Sequence, residues 1–277
     1  MSLCIQETAK WMVWYRYRES QKENPRFIDP LALELFKKND CDQFSKLRLS
    51  KSLYWAFTAR TLLIDQYLEA VLNNEKIEVV INLACGYDGR PWRLNLPKNL
   101  LWYDLDDEQI IDWKRNYAKE IPPPLNYQLE NCGAQNIFYL IEELLKLNFD
   151  KKILILTEGF IYYLPKGDVQ ALFKLISKYP SIFWITDYIS PSLSYLMNIM
   201  AIKQRPKFQS DYLPIELEQG SLRLLKTEIL FFYAYTQQIL PLWLKVLGLI
   251  LKMYPKKLQD RWFSLSGVAL LKNKKEF

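Results

Sequence analysis

Through residues 1–75 the apolar positions recur at helical spacing. Ala9, Met12, Val13 and Arg16 share one line within Gln6 to Glu19. A second helix is expected from Asp29, an N-cap residue followed by Pro30 at the first helical position and then by Leu31, Leu35 and Phe36. A third, Ser52 to Leu72, carries Tyr54, Phe57, Leu62, Ile64, Tyr67, Leu68 and Val71. From Ile77 the period changes. Short apolar, β-rich runs at Ile77 to Leu83, Leu100 to Asp104, Leu125 to Leu129, Lys152 to Thr157 and Ser181 to Ile189 alternate with helical patterns at Asp107 to Lys119, Ala134 to Leu147 and Lys166 to Lys178. This alternation predicts an α/β chain with a mostly parallel, doubly wound sheet, helices on both faces and a ligand site outside the carboxyl ends of the strands.

Beyond Ile189 the pattern is looser. Pro191 to Lys203 reads as helical and Gln204 to Leu222 as irregular and polar; Leu230 to Tyr235 and Trp262 to Leu271 read as strands around an apolar helix, Leu240 to Tyr254. The expected organisation is one domain, 1–277: a helical cap at 1–75, a core at 76–189, a lid insertion at 190–225, and C-terminal strands and helix at 226–277. The apolar helix is expected to be buried or to form a homodimer contact, in preference to lying on a membrane surface.

Composition narrows the chemistry. Half the 277 residues are apolar, enough for a full core. The 37 basic and 31 acidic residues leave a net +6 that is scattered along the chain, which argues against a nucleic-acid partner. Cys4, Cys41, Cys85 and Cys132 form no C-x-x-C pair, so no metal site is expected and a reduced compartment fits. The first residues lack the pattern of a secretory signal, and Ile239 to Leu251, interrupted by Lys245, falls short of the ~20 residues of a membrane span. A soluble, cytoplasmic protein is the expectation. Histidine is absent, which excludes Ser-His-Asp and Cys-His catalysis and histidine general bases.

Directly after the first strand stands Ala84-Cys85-Gly86-Tyr87-Asp88-Gly89, a G-x-G-x-x-G loop but for Ala84. Twenty residues beyond Gly86, Asp104-Leu105-Asp106-Asp107 ends the second strand, where an acid can accept both hydroxyls of an adenosine ribose. These two elements would also suit an ordinary βα turn or a dinucleotide dehydrogenase.

The longer run Asn82-Leu83-Ala84-Cys85-Gly86-Tyr87-Asp88-Gly89-Arg90-Pro91-Trp92-Arg93-Leu94 resembles the N-L-G-A-G-x-D-T-R-x-x-R-L signature of the leucine carboxyl methyltransferase family, which includes bacterial O-methyltransferases of small acids and polyketides. Three more blocks agree in order: Asp29-Pro30-Leu31-Ala32 closing the leader, Ala59-Arg60-Thr61 with Ile64-Asp65, and Glu158-Gly159 through Tyr163-Leu164-Pro165. The resemblance implies a Rossmann-like class I methyltransferase fold and S-adenosylmethionine as cofactor. It implies that Arg60 pairs with the cofactor's carboxylate, that Ala84 and Gly86 line its amino-acid end, and that Asp106, with Asp104 beside it, holds the ribose. By the same resemblance Glu130 and Asn131 lie near the adenine and Glu158 near the sulfonium or amino group, while Tyr163, with Tyr162 its neighbour, borders the acceptor pocket. Asp107 reads as the N-cap of the following helix. Arg90 and Arg93 could receive an acidic acceptor or support the loop. Where the family has glycine and threonine, this chain has Ala84 and Gly89; the methyl of Ala84 would weaken cofactor binding if that residue adopts positive φ.

The expected reaction is methyl transfer to an oxygen of a small-molecule acceptor, with Glu158, Tyr163 or Asp187 as bases should the acceptor be a phenol or hydroxyl. A carboxylate needs no base at neutral pH, so the missing histidine tilts the expectation toward one. The alternatives are methylation of a protein's C-terminal leucine, and a non-catalytic binding protein on the same fold.

Overall fold

The computed structural model describes residues 2–38, 54–132, 137–191, 193, 195, 211, 214–218, 220–255 and 266–274. Two helices open the chain, α1 (Ser2–Ser20) and α2 (Pro30–Lys38). Asp29 begins α2 as its sequence context predicts: Oδ1 accepts the Ala32 amide at 3.0 Å, while Oδ2 accepts Arg16 Nε at 2.7 Å and ties α1 to α2. Next comes α3 (Tyr54–Glu75), whose buried line from Ala59 through Leu63, Ile64, Tyr67, Leu68 and Val71 packs against the sheet.

The core runs β1 (Val79–Leu83), the short α4 (Arg90–Arg93), β2 (Leu101–Asp106), α5 (Glu108–Glu120), β3 (Asn126–Asn131), α6 (Ile137–Leu147), β4 (Ile153–Thr157), a 3-10 turn (Ile161–Tyr163), α7 (Lys166–Ile176) and β5 (Ile182–Ile189). The chain closes with β6 (Leu222–Ile229), α8 (Leu230–Thr236), α9 (Leu242–Lys252) and β7 (Ser266–Asn273). The sheet order is β3-β2-β1-β4-β5-β7-β6, parallel through β5, with β7 antiparallel to both β5 and β6. Alternate residues of β1 feed two cores: Val79, Ile81 and Leu83 pack with α6 and α7, and Val80 packs with α3 and α8. Strands β1, β4 and β5 are buried along their whole length, as parallel strands covered on both faces must be. Strand order reverses between β1 and β4, so the crevice beyond their carboxyl ends is where this architecture binds ligands.

The sequence pattern and the structure part company in the C-terminal third. Leu230 to Tyr235 is helical, not a strand. The run is aromatic and β-prone, but Leu230, Tyr233 and Ala234 fall at helical spacing and are buried against α3. The strand lies just before it: β6 alternates charged Arg223, Lys226 and Glu228 through a half-exposed edge, so it reads as polar loop in sequence, and Leu222 to Leu225 of the expected insertion belong to the sheet. The remainder of the 190–225 segment lies mostly outside the described residues. The apolar helix is present, but only Leu244 and Gly248 of it are buried. Among the described residues no helix is long and apolar enough to cross a membrane.

Candidate functional site

The loop after β1 is built on two left-handed residues, Ala84 (φ 50°) and Gly86 (φ 52°). It is held at several points: the Cys85 amide donates to Leu105 O and the Asp88 amide to Cys85 O, each at 3.1 Å. The Gly86 amide donates to Asp106 Oδ2 at 2.6 Å, and the Asp107 amide to Asp106 Oδ1 at 2.7 Å. Asp106 thus clasps the loop to the end of β2 while each oxygen keeps lone-pair capacity. Burial pushes its pKa up to about 6, against the opposing effect of the two amide donors. Asn131 stands in register with Asp106 across the β2–β3 pair, and Glu130 with Leu105. Asp107 occupies the N-cap position of α5 but makes no side-chain capping bond.

Asp104 is not part of that surface. It is fully buried, and its oxygens are taken by Lys114 Nζ (2.5 Å), Asn82 Nδ2 (2.9 Å), Trp102 Nε1 (2.8 Å) and Tyr127 OH (2.5 Å). Asp104 and Asp106, two residues apart, lie on the same face of β2, but the partners that enclose Asp104 leave it no oxygen open to a ligand, unlike Asp106 at the strand end. Lys114 in turn donates to Asp88 O at 3.0 Å beneath the glycine loop. Burial would lower the Lys114 pKa, but Asp104 overrides this and keeps the ammonium charged. Sequence reasoning missed this residue, although it occupies the apolar line Ile110, Ile111, Lys114, Tyr117 of α5, where a lysine needs a partner.

At the end of β4, Glu158 sits between two guanidinium groups: Oε1 is 3.2 Å from Arg60 Nη2 and Oε2 is 2.8 Å from Arg90 Nη1. Burial alone would raise its pKa, but Arg90 and Arg60 hold it below the usual carboxylate range. Arg60 Nη1 reaches Asp187 Oδ2 at 2.9 Å and donates to Tyr162 OH at 3.0 Å. Asp187 also accepts the Gly159 amide at 2.9 Å and Tyr162 OH at 3.2 Å; burial nonetheless pushes its pKa up. Burial, with Asp187 beside it, drives Tyr162 well above the ordinary tyrosine value. Tyr163 is half-buried, its ring 4.9 Å from that of Tyr162.

Arg90 and Arg93 are held by carboxylates around the loop, Arg90 by Glu158 as well. Arg93 forms a fork with Asp65 at 2.5 and 2.7 Å, and Arg90 bonds Asp65 through Nε and Asp88 through Nη1, both at 2.7 Å. Asp65 lies on α3 five residues beyond Arg60, so one helix delivers both a partner for the loop arginines and the cation beside Glu158. Arg16 Nη2 donates to Tyr87 O at 2.7 Å, which docks α1 on the same loop. Between α1 and α3 lies a narrow crevice, too tight for a water molecule, lined by Met12, Tyr15, Phe27, Phe57 and Thr61 with Glu158 at one side. The buried thiols offer no nucleophile: burial and Asp104 push Cys85 far up, and burial with Asp106 pushes Cys132 up to about 12.

The groups converging on the switch point suit an adenosine-type cofactor with a zwitterionic end. Asp106 presents an anion for hydroxyl donors, Glu158 an anion for an ammonium, and Arg60 a cation for a carboxylate. Arg60 Nε and Arg90 Nη2 are buried donors without a hydrogen-bond partner among the described residues.

The family model of the leucine carboxyl methyltransferases matches residues 9–177. The tetracenomycin polyketide synthesis O-methyltransferase of Streptomyces glaucescens is 23% identical over 175 residues, covering 63% of this chain and 62% of that protein. The S-adenosyl-L-methionine-dependent methyltransferase dpfgK of Gibberella zeae is 27% identical over 186 residues, covering 63% and 61%. The match thus spans under two thirds of those relatives' own length. Among solved structures, a DUF574 family protein of Streptomyces avermitilis superposes with a TM-score of 0.59 at 9% identity over 96% of this chain and 97% of that one. A candidate methyltransferase of Thermobifida fusca superposes with a TM-score of 0.55 at 10% identity, over 81% and 84%. At such identities these structures support the fold.

Proposed function

Because the chain belongs to the leucine carboxyl methyltransferase family, a family of S-adenosylmethionine-dependent enzymes, we propose that it is an O-methyltransferase acting on a small molecule, with a carboxylate as the favoured acceptor. Bound S-adenosylmethionine supplies an electrophilic methyl group on a sulfonium whose leaving group is a neutral thioether. Asp106 would hold the ribose, with Glu130 and Asn131 at the adenine side; Arg60 and Glu158 would hold the carboxylate and ammonium ends, and the Ala84–Gly86 backbone would line them. Holding an acceptor oxygen in line near that methyl is a proximity effect worth roughly 7–11 kcal/mol.

One observation supports the preference for a carboxylate: among the described residues, Glu158, Asp187 and Tyr162 are already paired with one another or with Arg60 and Arg90. Glu158 is kept anionic by two guanidinium groups and is a weak base. Asp187 accepts from Arg60, Gly159 and Tyr162, and Tyr162 lies between Arg60 and Asp187. An acceptor that arrives as its own nucleophile fits such a site, whereas a phenol would rely on Asp187 or on Tyr163 at the pocket border. The polyketide synthesis named in the Streptomyces glaucescens relative supports a small molecule over a protein C-terminus. Panels of small carboxylic acids and phenols, incubated with enzyme and methyl-labelled donor, test the reading. Label in base-labile methyl esters is expected; transfer confined to phenols would overturn the carboxylate assignment.

A further inference from the structure

Helix α9 carries the largest run of exposed apolar side chains on the described surface. Gly248 seats it on α8, where a Cβ would stand 2.2 Å from the Tyr235 ring, and Leu244 enters the core. The opposite side faces outward: Leu242 is 79% and Met253 82% exposed, with Trp243, Val246, Leu249 and Ile250 all at least half exposed between them. At 3.6 residues per turn these six fall within a single arc of about 120° that holds no charge. Leu247 and Tyr254, 42% and 48% exposed, border the same arc, a contiguous apolar face of the kind that marks an interaction surface. Lys245 and Lys252 line one flank of the arc, Lys256 and Lys257 follow in sequence, and no acidic residue occurs between Glu228 and Asp260.

We propose that α9 docks the protein on an anionic lipid bilayer, its apolar arc entering the acyl boundary and Lys245 and Lys252 meeting headgroup phosphates. The charge pattern selects this occupant. A second copy packed on the same helix would bring two rims of like-charged lysines together with no acidic residue of the segment to balance them, whereas an anionic interface neutralises them. Trp243 and Tyr254 at the edge of the arc are the side chains that favour the headgroup level. The surface lies outside the ion-pair network around Glu158, so the inference stands independently of the methyl-transfer reading.

Flotation of the full chain with phosphatidylcholine vesicles, with and without phosphatidylglycerol, tests it. Expected are retention by the anionic vesicles, a loss of about tenfold in V246E/L249E, and a weaker, salt-insensitive residue of binding in K245Q/K252Q. Val246, Leu249 and Lys252 are exposed and Lys245 is partly buried, and unchanged far-UV circular dichroism and melting confirm that the variants are folded. No retention of the wild type, or retention unaffected by V246E/L249E, overturns the proposal. So does a wild-type dimer in sedimentation that V246E/L249E dissolves while vesicles capture neither protein.

Discussion

Replacing Ala84 by glycine removes the methyl group that this chain carries where the signature it resembles has glycine. The residue sits at φ 50°, in the left-handed region, where a Cβ approaches its own carbonyl oxygen and costs roughly 1–2 kcal/mol. It cannot relax, because the Cys85 amide is bonded to Leu105 O and the Gly86 amide to Asp106. Glycine relieves that strain but enlarges the unfolded ensemble, an opposing effect of about 0.4–1 kcal/mol. The net expectation is a stabilisation of about 0.5–1 kcal/mol, or roughly 2 °C in melting temperature for a chain of this size. Urea titration and thermal melts of wild type, A84G and A84V measure it. A84V should be the least stable, since a β-branched side chain tolerates this φ poorly. A glycine variant less stable than wild type, or a neutral valine, would refute the claim that the loop conformation is imposed by its hydrogen bonds.

Other predictions follow from the ion pairs. With Asp106 at about 6 in the free protein, its contribution to stability is present below the ordinary 3.8 and lost as pH rises through 6. D106N should therefore gain stability relative to wild type between pH 4 and pH 8 in melts of the free protein, while cofactor affinity of the wild type, which needs the anion, falls as pH drops below 6; parallel melting curves would argue against both. Glu158 is shifted the other way, so its contribution is present above the usual 4.5 and lost as pH falls through its lower folded value. E158Q leaves the facing guanidinium groups of Arg60 and Arg90 without their shared anion and should destabilise by about 3–5 kcal/mol at pH 7 in denaturant titrations, with the deficit shrinking in acid. K114M should cost a similar amount by stranding Asp104, and a K114M/D104N cycle should recover much of it; additive losses would mean that the pair is not coupled.

The core of the fold was legible because its strands are uniform. Val79-Val80-Ile81 and Ile153 to Leu156 can only be buried parallel strands once helical patterns flank them. The edge was not: β6 mixes three charges with its leucines, and the aromatic run after it is β-prone in isolation but helical against α3. The positions of Asp106, Gly86, Arg60 and Glu158 around the carboxyl ends of β1, β2 and β4 could be read from the four sequence blocks, because each sits at or near a strand end or on the helix that covers them. The partners of Asp104, Arg90 and Arg93 could not be, since they come from residues distant in sequence: Lys114 and Tyr127 for Asp104, and Asp65, 25 residues upstream, for Arg90. Neighbours in sequence, Asp104 and Asp106 differ in task because Lys114 and Tyr127 enclose the first and backbone amides alone hold the second.

Calorimetric titration of S-adenosylmethionine into the wild-type protein and into D106A tests the central claim most directly. One site per chain is expected for the wild type, with affinity reduced at least about tenfold in D106A while its circular dichroism is unchanged, the loss of one charge-assisted hydrogen-bonding group being worth about 1.5–3 kcal/mol. A folded wild-type protein that takes up no S-adenosylmethionine, or a D106A variant that binds it equally well, would contradict the account.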